Sequence, residues 1–414
     1  MSKKHFISLP IQLFLSAVIA WLLATLLPLP SNITQTTAFQ LLMLTKTTYI
    51  GLLKMVVGAV VMLSLLQGIT SLGSTLRLKT LGYKAVLFYS FTSLIAIALG
   101  LGSSLALPAW PQLIDTASVS VGENVQLIDN TAASGGAIAE KLFNMALANP
   151  FSALTNTNLL AIVVFSLLFG VALLTSLPTK HPVFEVISGV NSALNRFVSG
   201  IIRFAPIAVF AIVFEFTATS GGAIFGQLAQ FALLVFVLTL IHGGVVLPVI
   251  AKLATGIKFS TLFKALSAPM AMAFATSSSS ATLPLSMQTA ENELGVSQST
   301  SSMVLPLGAI MNMDGTALFE GVAAIFLAQL YGIDLGTSGL IMIFIMAMVS
   351  SIGAPGMPSG SMSGMQLVLL AAGIPLEAIA ILLIIERPLD TFRTAVNVEG
   401  DIIAAYVVDK WQRS

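Results

Sequence analysis

Thr276-Ser-Ser-Ser-Ser-Ala-Thr-Leu-Pro284 interrupts the middle of residues 265–290, a stretch without a single charged residue. Ser351-Ile-Gly-Ala-Pro-Gly-Met-Pro-Ser-Gly-Ser361 interrupts residues 335–376, also uncharged, in the same way. Clusters of Ser, Gly and Pro cannot continue a helix cheaply, and Pro removes a backbone donor. Irregular backbone at membrane depth survives only where protein or a water-filled cavity satisfies its polar groups. The arms on either side run about 12 to 20 residues, marginal for crossing a hydrocarbon core of about 30 Å. A loop between two full crossings fits such arms poorly. Each segment is therefore predicted to be a re-entrant hairpin, two half-helices meeting at a tip. Two interrupted segments, each followed by a spanning helix, are the pattern of inverted-repeat transporters.

The rest of the chain agrees with a membrane setting. Of its 414 residues, 56% are hydrophobic and 8% charged, against about 25% charged in a soluble domain. Candidate crossings lie near 8–29, 41–72, 81–108, 157–177, 184–216 and 224–255, while 109–150 reads as an outer loop followed by re-entry. Lys3 and Lys4, then Arg77, Lys79 and Lys84, then Lys252, Lys258 and Lys264, and finally Lys410 and Arg413 fall on one side. The positive-inside rule makes that side cytoplasmic, with both termini there, in a multi-pass protein of the cell (inner) membrane. The N-terminal stretch lacks a small-residue cleavage site and is expected to stay as the first helix. A formal net charge of +1 with no basic run excludes a nucleic-acid partner. The absence of cysteine excludes disulfides and thiolate chemistry, and three scattered histidines, His5, His181 and His242, make an all-His metal site unpromising.

Chemistry concentrates in the last segment, Ile384-Ile-Glu-Arg-Pro-Leu-Asp-Thr-Phe-Arg-Thr-Ala-Val-Asn-Val-Glu-Gly-Asp401. On a helix, Glu386, Asp390, Arg393, Asn397 and Asp401 share an arc of roughly 80°, with Thr394 at its border and Leu389, Phe392, Ala395 and Val398 opposite. One ionisable residue at the bilayer centre costs about 2.5–3.5 kcal/mol even on the gentler scale, so this face must line an enclosed polar site. A salt-bridge network that only fixes helix packing would leave Asn397 and a second aspartate without a purpose. The planar fork of Arg393 suits a carboxylate, and Asp390 suits an ammonium group. The serine-rich tip supplies neutral donors for a second carboxylate near half-helix ends. Those residue types describe an acidic amino acid.

Asn312-Met-Asp-Gly-Thr316 forms a second cluster inside an apolar helix. Gly315 permits local unwinding, so that Asn312 and Asp314 can converge instead of pointing apart. Asp314, Asn312, Asn397 and Asp401 are hard oxygen ligands for a small monovalent cation. Tyr89, Thr92 and Ser93 follow helical spacing in another apolar helix. Glu320 is one more carboxylate in an apolar setting and a candidate proton carrier.

Together these motifs resemble the glutamate transporter family of dicarboxylate/amino-acid:cation symporters, with Leu305-Pro-Leu-Gly-Ala309, Leu52-Leu-Lys-Met55 and Asn149-Pro-Phe151 adding to the match. The resemblance implies an all-α polytopic fold of eight transmembrane helices plus two re-entrant helical hairpins with inverted repeats, assembled as a homotrimer. It implies scaffold helices in 1–80, a transport-domain helix in 81–108, and scaffold, outer loop and transport-domain helices in 109–255. The transport core would occupy 256–414: hairpin 258–292, broken helix 298–331, hairpin 336–372 and polar-striped helix 375–412. Substrate contacts would come from Ser278, Ser279, Thr316, Met357, Asp390, Arg393, Thr394 and Asn397. One sodium would lie among Gly308, Asn312, Asn397 and Asp401, and a second among carbonyls of Ile310, Ser351, Ile352 and Ala354. A third would be held by Tyr89, Thr92, Ser93, Asn312 and Asp314. The second hairpin would be the extracellular gate of an elevator-like cycle.

Within the family, Arg393 resembles acidic-substrate members, Asp390 amino-acid carriers, and Glu320 the animal glutamate carriers with proton and potassium coupling. Glu386 stands where aspartate is common, Phe319 where tyrosine is, and Ser361 where glycine is, while Pro388 is expected to interrupt its helix. The expectation is a symporter of glutamate or aspartate, with no tightly bound cofactor. It would be driven by sodium, with protons and potassium as further candidate ions. The nearer alternatives are a four-carbon dicarboxylate or neutral amino-acid symporter of the same family. An intramembrane serine hydrolase lacks a G-x-S-x-G and a base in context, and a passive channel has no use for a fixed-charge substrate site.

Overall fold

The computed structural model describes residues 9–30, 32–70, 81–113, 140, 143–144, 146–156, 158–178, 180–220, 223–353, 361–375 and 378–413. No strand occurs among them. The chain is an all-helical polytopic membrane protein. Its first helices are α1 (Leu9–Leu26), α2 (Thr37–Thr70), α3 (Tyr83–Ala106), α4 (Leu159–Ser176), α5 (Pro182–Ile202) and α6 (Ala205–Ser220). They are followed by α7 (Ala223–Ile241), a π-helical turn at His242–Val246, and α8 (Leu247–Thr255). Next come α9 (Phe259–Thr276), α10 (Ser279–Asn292), α11 (Gln298–Met311) and α12 (Asp314–Leu330). The last three are α13 (Gly336–Gly353), α14 (Ser361–Ala371) and α15 (Ile379–Arg413). Among the described residues, Thr37–Thr70, Tyr83–Ala106, Ile224–Thr255 and Gln298–Leu330 are each long and apolar enough to cross a bilayer.

One expectation is refined and one needs correction. The crossing expected at 184–216 is carried by two helices, α5 and α6, which are together long and apolar enough to span and are bent by 43°. Pro206, the second residue of α6, has no N–H to offer the preceding turn, and the chain turns through Arg203 and Phe204 instead, with Phe204 donating to the carbonyl of Ile201. Conversely, Pro388 does not interrupt its helix, since α15 runs unbroken through it. The donor lost at Pro388 is one backbone bond, and the helices packed around α15 hold the turn in place.

The core is built around α12, of which every residue except Gln329 is buried. A helix apolar on all sides belongs inside a bundle, and α12 packs against α3, α7, α13 and α15. The outward faces of α1, α4, α6 and α7 stay apolar and exposed, as at Phe14, Leu168, Ile207 and Leu233. That is the surface a bilayer solvates.

The first interrupted segment breaks where the sequence does. α9 ends at Ser277, whose φ of 49° is the only positive value at a non-glycine among the described residues. Ser278 then starts α10, its side chain accepting from the N–H of Ala281, and α9 and α10 pack side by side. α13 and α14 also pack together, with 354–360 between them outside the described residues.

Candidate functional site

The polar stripe of α15 is buried along its length. Glu386, Asp390, Arg393, Thr394, Asn397 and Asp401 are all excluded from solvent, and the Arg393 side chain is fully enclosed. α12 reaches this face closely: a Cβ on Gly315 would stand 2.9 Å from the Cα and carbonyl oxygen of Arg393. Only a residue without a side chain lets the two backbones approach so near. The Gly315 N–H donates to Asn397 Oδ1 at 2.8 Å, so the contact is bonded as well as packed.

Arg393 bonds the protein through a single guanidinium nitrogen. Its Nη2 donates to Glu386 Oε1 at 3.0 Å, Asp390 Oδ1 at 3.2 Å and Ser361 Oγ at 3.1 Å. The group lies over the Phe319 ring, 4.0 Å from its centroid, a favourable cation–π contact. Nε and Nη1 are buried without a hydrogen-bond partner among the described residues. Two buried donors of a permanent cation suit an anionic ligand group such as a carboxylate. Asp390 is shared with Arg387, whose Nη1 is 3.4 Å from Oδ2. Thr394 donates to the carbonyl of Asp390 at 2.7 Å.

The cation-ligand candidates gather at the break between α11 and α12. Asn312 (φ −103°, ψ 82°) and Met313 (φ −115°, ψ 50°) leave helical geometry there. Asn312 Nδ2 donates to the Asn397 carbonyl at 3.1 Å and to Asp401 Oδ1 at 2.9 Å, while its Oδ1 is buried without a partner. A Cβ on Gly308 would meet the Asp401 carboxylate and the Tyr89 hydroxyl, so Gly308 keeps space open beside both. A buried carboxylate, a free amide oxygen and that cleared space fit a bare monovalent cation. Met313, within the same motif, accepts from Asn397 Nδ2 through its sulfur at 3.3 Å.

A second group lies across α3. Ser93 donates to Asp314 Oδ1 at 2.6 Å. Thr92 Oγ1 back-bonds to the carbonyl of Tyr89, and the Tyr89 hydroxyl donates to that of Val304. His242, without motif context in the sequence, is fully buried with Nε2 3.1 Å from Asp314 Oδ2. Pro248 offers no N–H to the carbonyl of Gly244, and the π-helical turn there re-registers the helix. Only a three-dimensional contact reveals His242, although His-Gly-Gly before a proline was a usable sign of a helix irregularity.

Glu399 escaped the sequence reading for a similar reason. It lies off the polar arc, yet it is fully buried beside Gly243, with no hydrogen-bond partner on either carboxylate oxygen. Glu320 is also fully buried; Ser350 Oγ donates to its Oε1 at 2.8 Å and Oε2 has no partner. Ser278 and Ser279 lie buried at the first tip, and Thr316 in the first turn of α12. Ile310 belongs to the last turn of α11, and Ser351 and Ile352 to that of α13. Ala354 and Met357 lie outside the described residues.

The sequence model of the sodium:dicarboxylate symporter family matches residues 9–411. The chain is 31% identical to a proton/glutamate-aspartate symporter of Escherichia coli (strain K12), over 98% of this chain and 93% of the relative. It is 32% identical to a proton/sodium-glutamate symport protein of Geobacillus stearothermophilus, over 88% and 86%. It is 35% identical to the neutral amino acid transporter B(0) of Oryctolagus cuniculus, over 86% and 70%.

Proposed function

The chain belongs to the sodium:dicarboxylate symporter family, and from that premise we propose that it is a cation-coupled symporter of acidic amino acids, glutamate or aspartate. Relatives named as glutamate or aspartate symporters and as neutral amino acid transporters place the chain among cation-coupled amino-acid carriers. Arg393 carries the choice of an acidic substrate. A fully enclosed guanidinium with two unpartnered donors calls for an anionic ligand group, because a buried unpaired donor costs free energy. Asp390 takes the ammonium group, which a plain four-carbon dicarboxylate lacks. Ser278 and Ser279, Met357, Thr316, Thr394 and Asn397 complete the substrate contacts.

Sodium ions are co-substrates in this reading. One is held among Gly308, Asn312, Asn397 and Asp401, and another by Tyr89, Thr92, Ser93, Asn312 and Asp314. A third lies on the carbonyls of Ile310, Ser351, Ile352 and Ala354. Asn397 belongs to both the ion and the substrate face, which ties one occupancy to the other. Glu320 carries a proton in the same cycle, with potassium as a further candidate ion. Residues 256–414, with 81–108 and part of 109–255, move as a transport core past scaffold helices in an elevator-like cycle. The protein works as a homotrimer in the cell inner membrane, with both termini cytoplasmic.

The test is uptake of radiolabelled aspartate into proteoliposomes under imposed sodium, proton and potassium gradients. Saturable uptake driven by an inward sodium gradient is expected. Succinate outcompeting aspartate, or uptake indifferent to every cation gradient, would overturn the reading.

A further inference from the structure

Ser361 and Glu386 have no part in the substrate and ion contacts above, yet both are bonded to the arginine at their centre. Ser361 Oγ donates to Glu386 Oε1 at 3.2 Å and accepts from Arg393 Nη2 at 3.1 Å. The same Nη2 donates to Glu386 Oε1 at 3.0 Å. The three residues are closed off from solvent. Ser361 is the first residue of α14, so the triangle joins the second arm of the second hairpin to the polar face of α15.

The arrangement divides the guanidinium in two. Its Nη2 is engaged by the protein, whereas Nε and Nη1 have no hydrogen-bond partner among the described residues. A ligand carboxylate can bond one of these donors without displacing Glu386. It then shares one positive charge with Glu386 and Asp390, and the attraction it feels is reduced. A ligand without a side-chain carboxylate leaves both donors bare. Glu386 still balances the buried charge alongside Asp390, which is already shared with Arg387 at 3.4 Å. A site built on Arg393 alone would reject such ligands strongly, since an uncompensated buried charge is costly.

We propose that the Ser361–Glu386 pair is a built-in counter-charge for Arg393 that lets the same site carry small neutral amino acids alongside acidic ones and sets the ratio between them. The inference rests on Arg393 receiving the acidic side chain. Ser361 acts as a positioning residue: it holds Glu386 Oε1 on the Nη2 edge and registers α14 against it.

The test compares uptake of labelled aspartate and labelled alanine by the wild type, Glu386→Gln and Ser361→Ala, each at matched protein level in proteoliposomes. Wild type is expected to carry both. Glu386→Gln should raise the aspartate-to-alanine ratio about tenfold, as removal of one close buried charge does, and Ser361→Ala should move it the same way by a smaller factor. A purely structural role would lower both uptakes together and leave the ratio fixed. A ratio within twofold of wild type in both variants overturns the inference, as does a shift toward alanine or a wild type that excludes alanine while carrying aspartate. A wild type carrying alanine but no aspartate overturns the acidic reading itself and this inference with it. If Glu386→Gln fails to fold, the direction of the Ser361→Ala ratio decides alone.

Discussion

Replacing Arg393 with cysteine removes the donor fork and leaves two carboxylates behind. Truncating one partner of a buried charged contact costs about 2–5 kcal/mol in binding. Here the lower part of that range applies, because Glu386 at 3.0 Å and Asp390 at 3.2 Å already draw on the same charge. A loss of about 2–3 kcal/mol in aspartate binding corresponds to a rise of roughly 30- to 150-fold in its apparent KM. Alanine, which does not use the fork, should lose far less. The same change strands Glu386 as an uncompensated buried carboxylate, a cost to folding of about 3–5 kcal/mol. Arg393→Cys combined with Glu386→Gln removes that liability and isolates the binding effect. Uptake of both labelled substrates by the single and double variants, with melting temperature in detergent as the folding control, makes the separation. Aspartate affinity unchanged in the folded double variant would refute a carboxylate role for Arg393.

Other perturbations follow from the same geometry. Gly315→Ala forces a methyl group against the Arg393 backbone at 2.9 Å; overpacking of about 1–3 kcal/mol is expected, read as a lower melting temperature with weaker aspartate binding, and a silent variant would contradict the close approach. Asp314→Asn, which removes a charge bonded to Ser93 and His242, should weaken the apparent sodium affinity about tenfold or more while saturating sodium restores aspartate uptake; unchanged sodium dependence would contradict it. Burial alone would raise the Asp409 carboxyl, at the end of α15 beyond the spanning stretch. Bonds from the Ser297 side chain and N–H, with Thr300 and Arg413, outweigh burial and hold it below its usual range. A depressed folded value means stability gained above the unfolded pKa and lost as pH falls through the folded one. Asp409→Asn should therefore cost about 1 kcal/mol at neutral pH, the worth of such a hydrogen bond, and progressively less in acid; equal melting temperatures at pH 7 would refute it.

What the sequence disclosed, and what it hid, divides along a physical line. The first hairpin tip, the break at Asn312–Met313 and the stripe on α15 are local events. Ser, Gly and Pro clusters within uncharged runs mark them, and helical periodicity turns the stripe into a face. Contacts between distant elements leave no such trace. His242 reaches Asp314 across 72 residues, and Ser361 reaches Glu386 across 25. Glu399 is invisible to a search for a polar arc because it lies outside the arc. Proline was ambiguous in both directions: Pro206 accompanies a bend, whereas Pro388 sits inside an unbroken helix. The difference lies in what packs around each turn, and a single chain read in order does not contain it.

The central claim is that the polar face of α15 lines a closed compartment reached by solute and ions together. The chain has no cysteine of its own, so one introduced thiol reports without background. Thr394→Cys in proteoliposomes, treated with a charged methanethiosulfonate reagent, tests the claim most directly. Modification should proceed in the unloaded carrier and slow sharply when aspartate and sodium are both present, with either alone protecting less. Modification at one rate whatever solutes are added, or none under any condition, would contradict it.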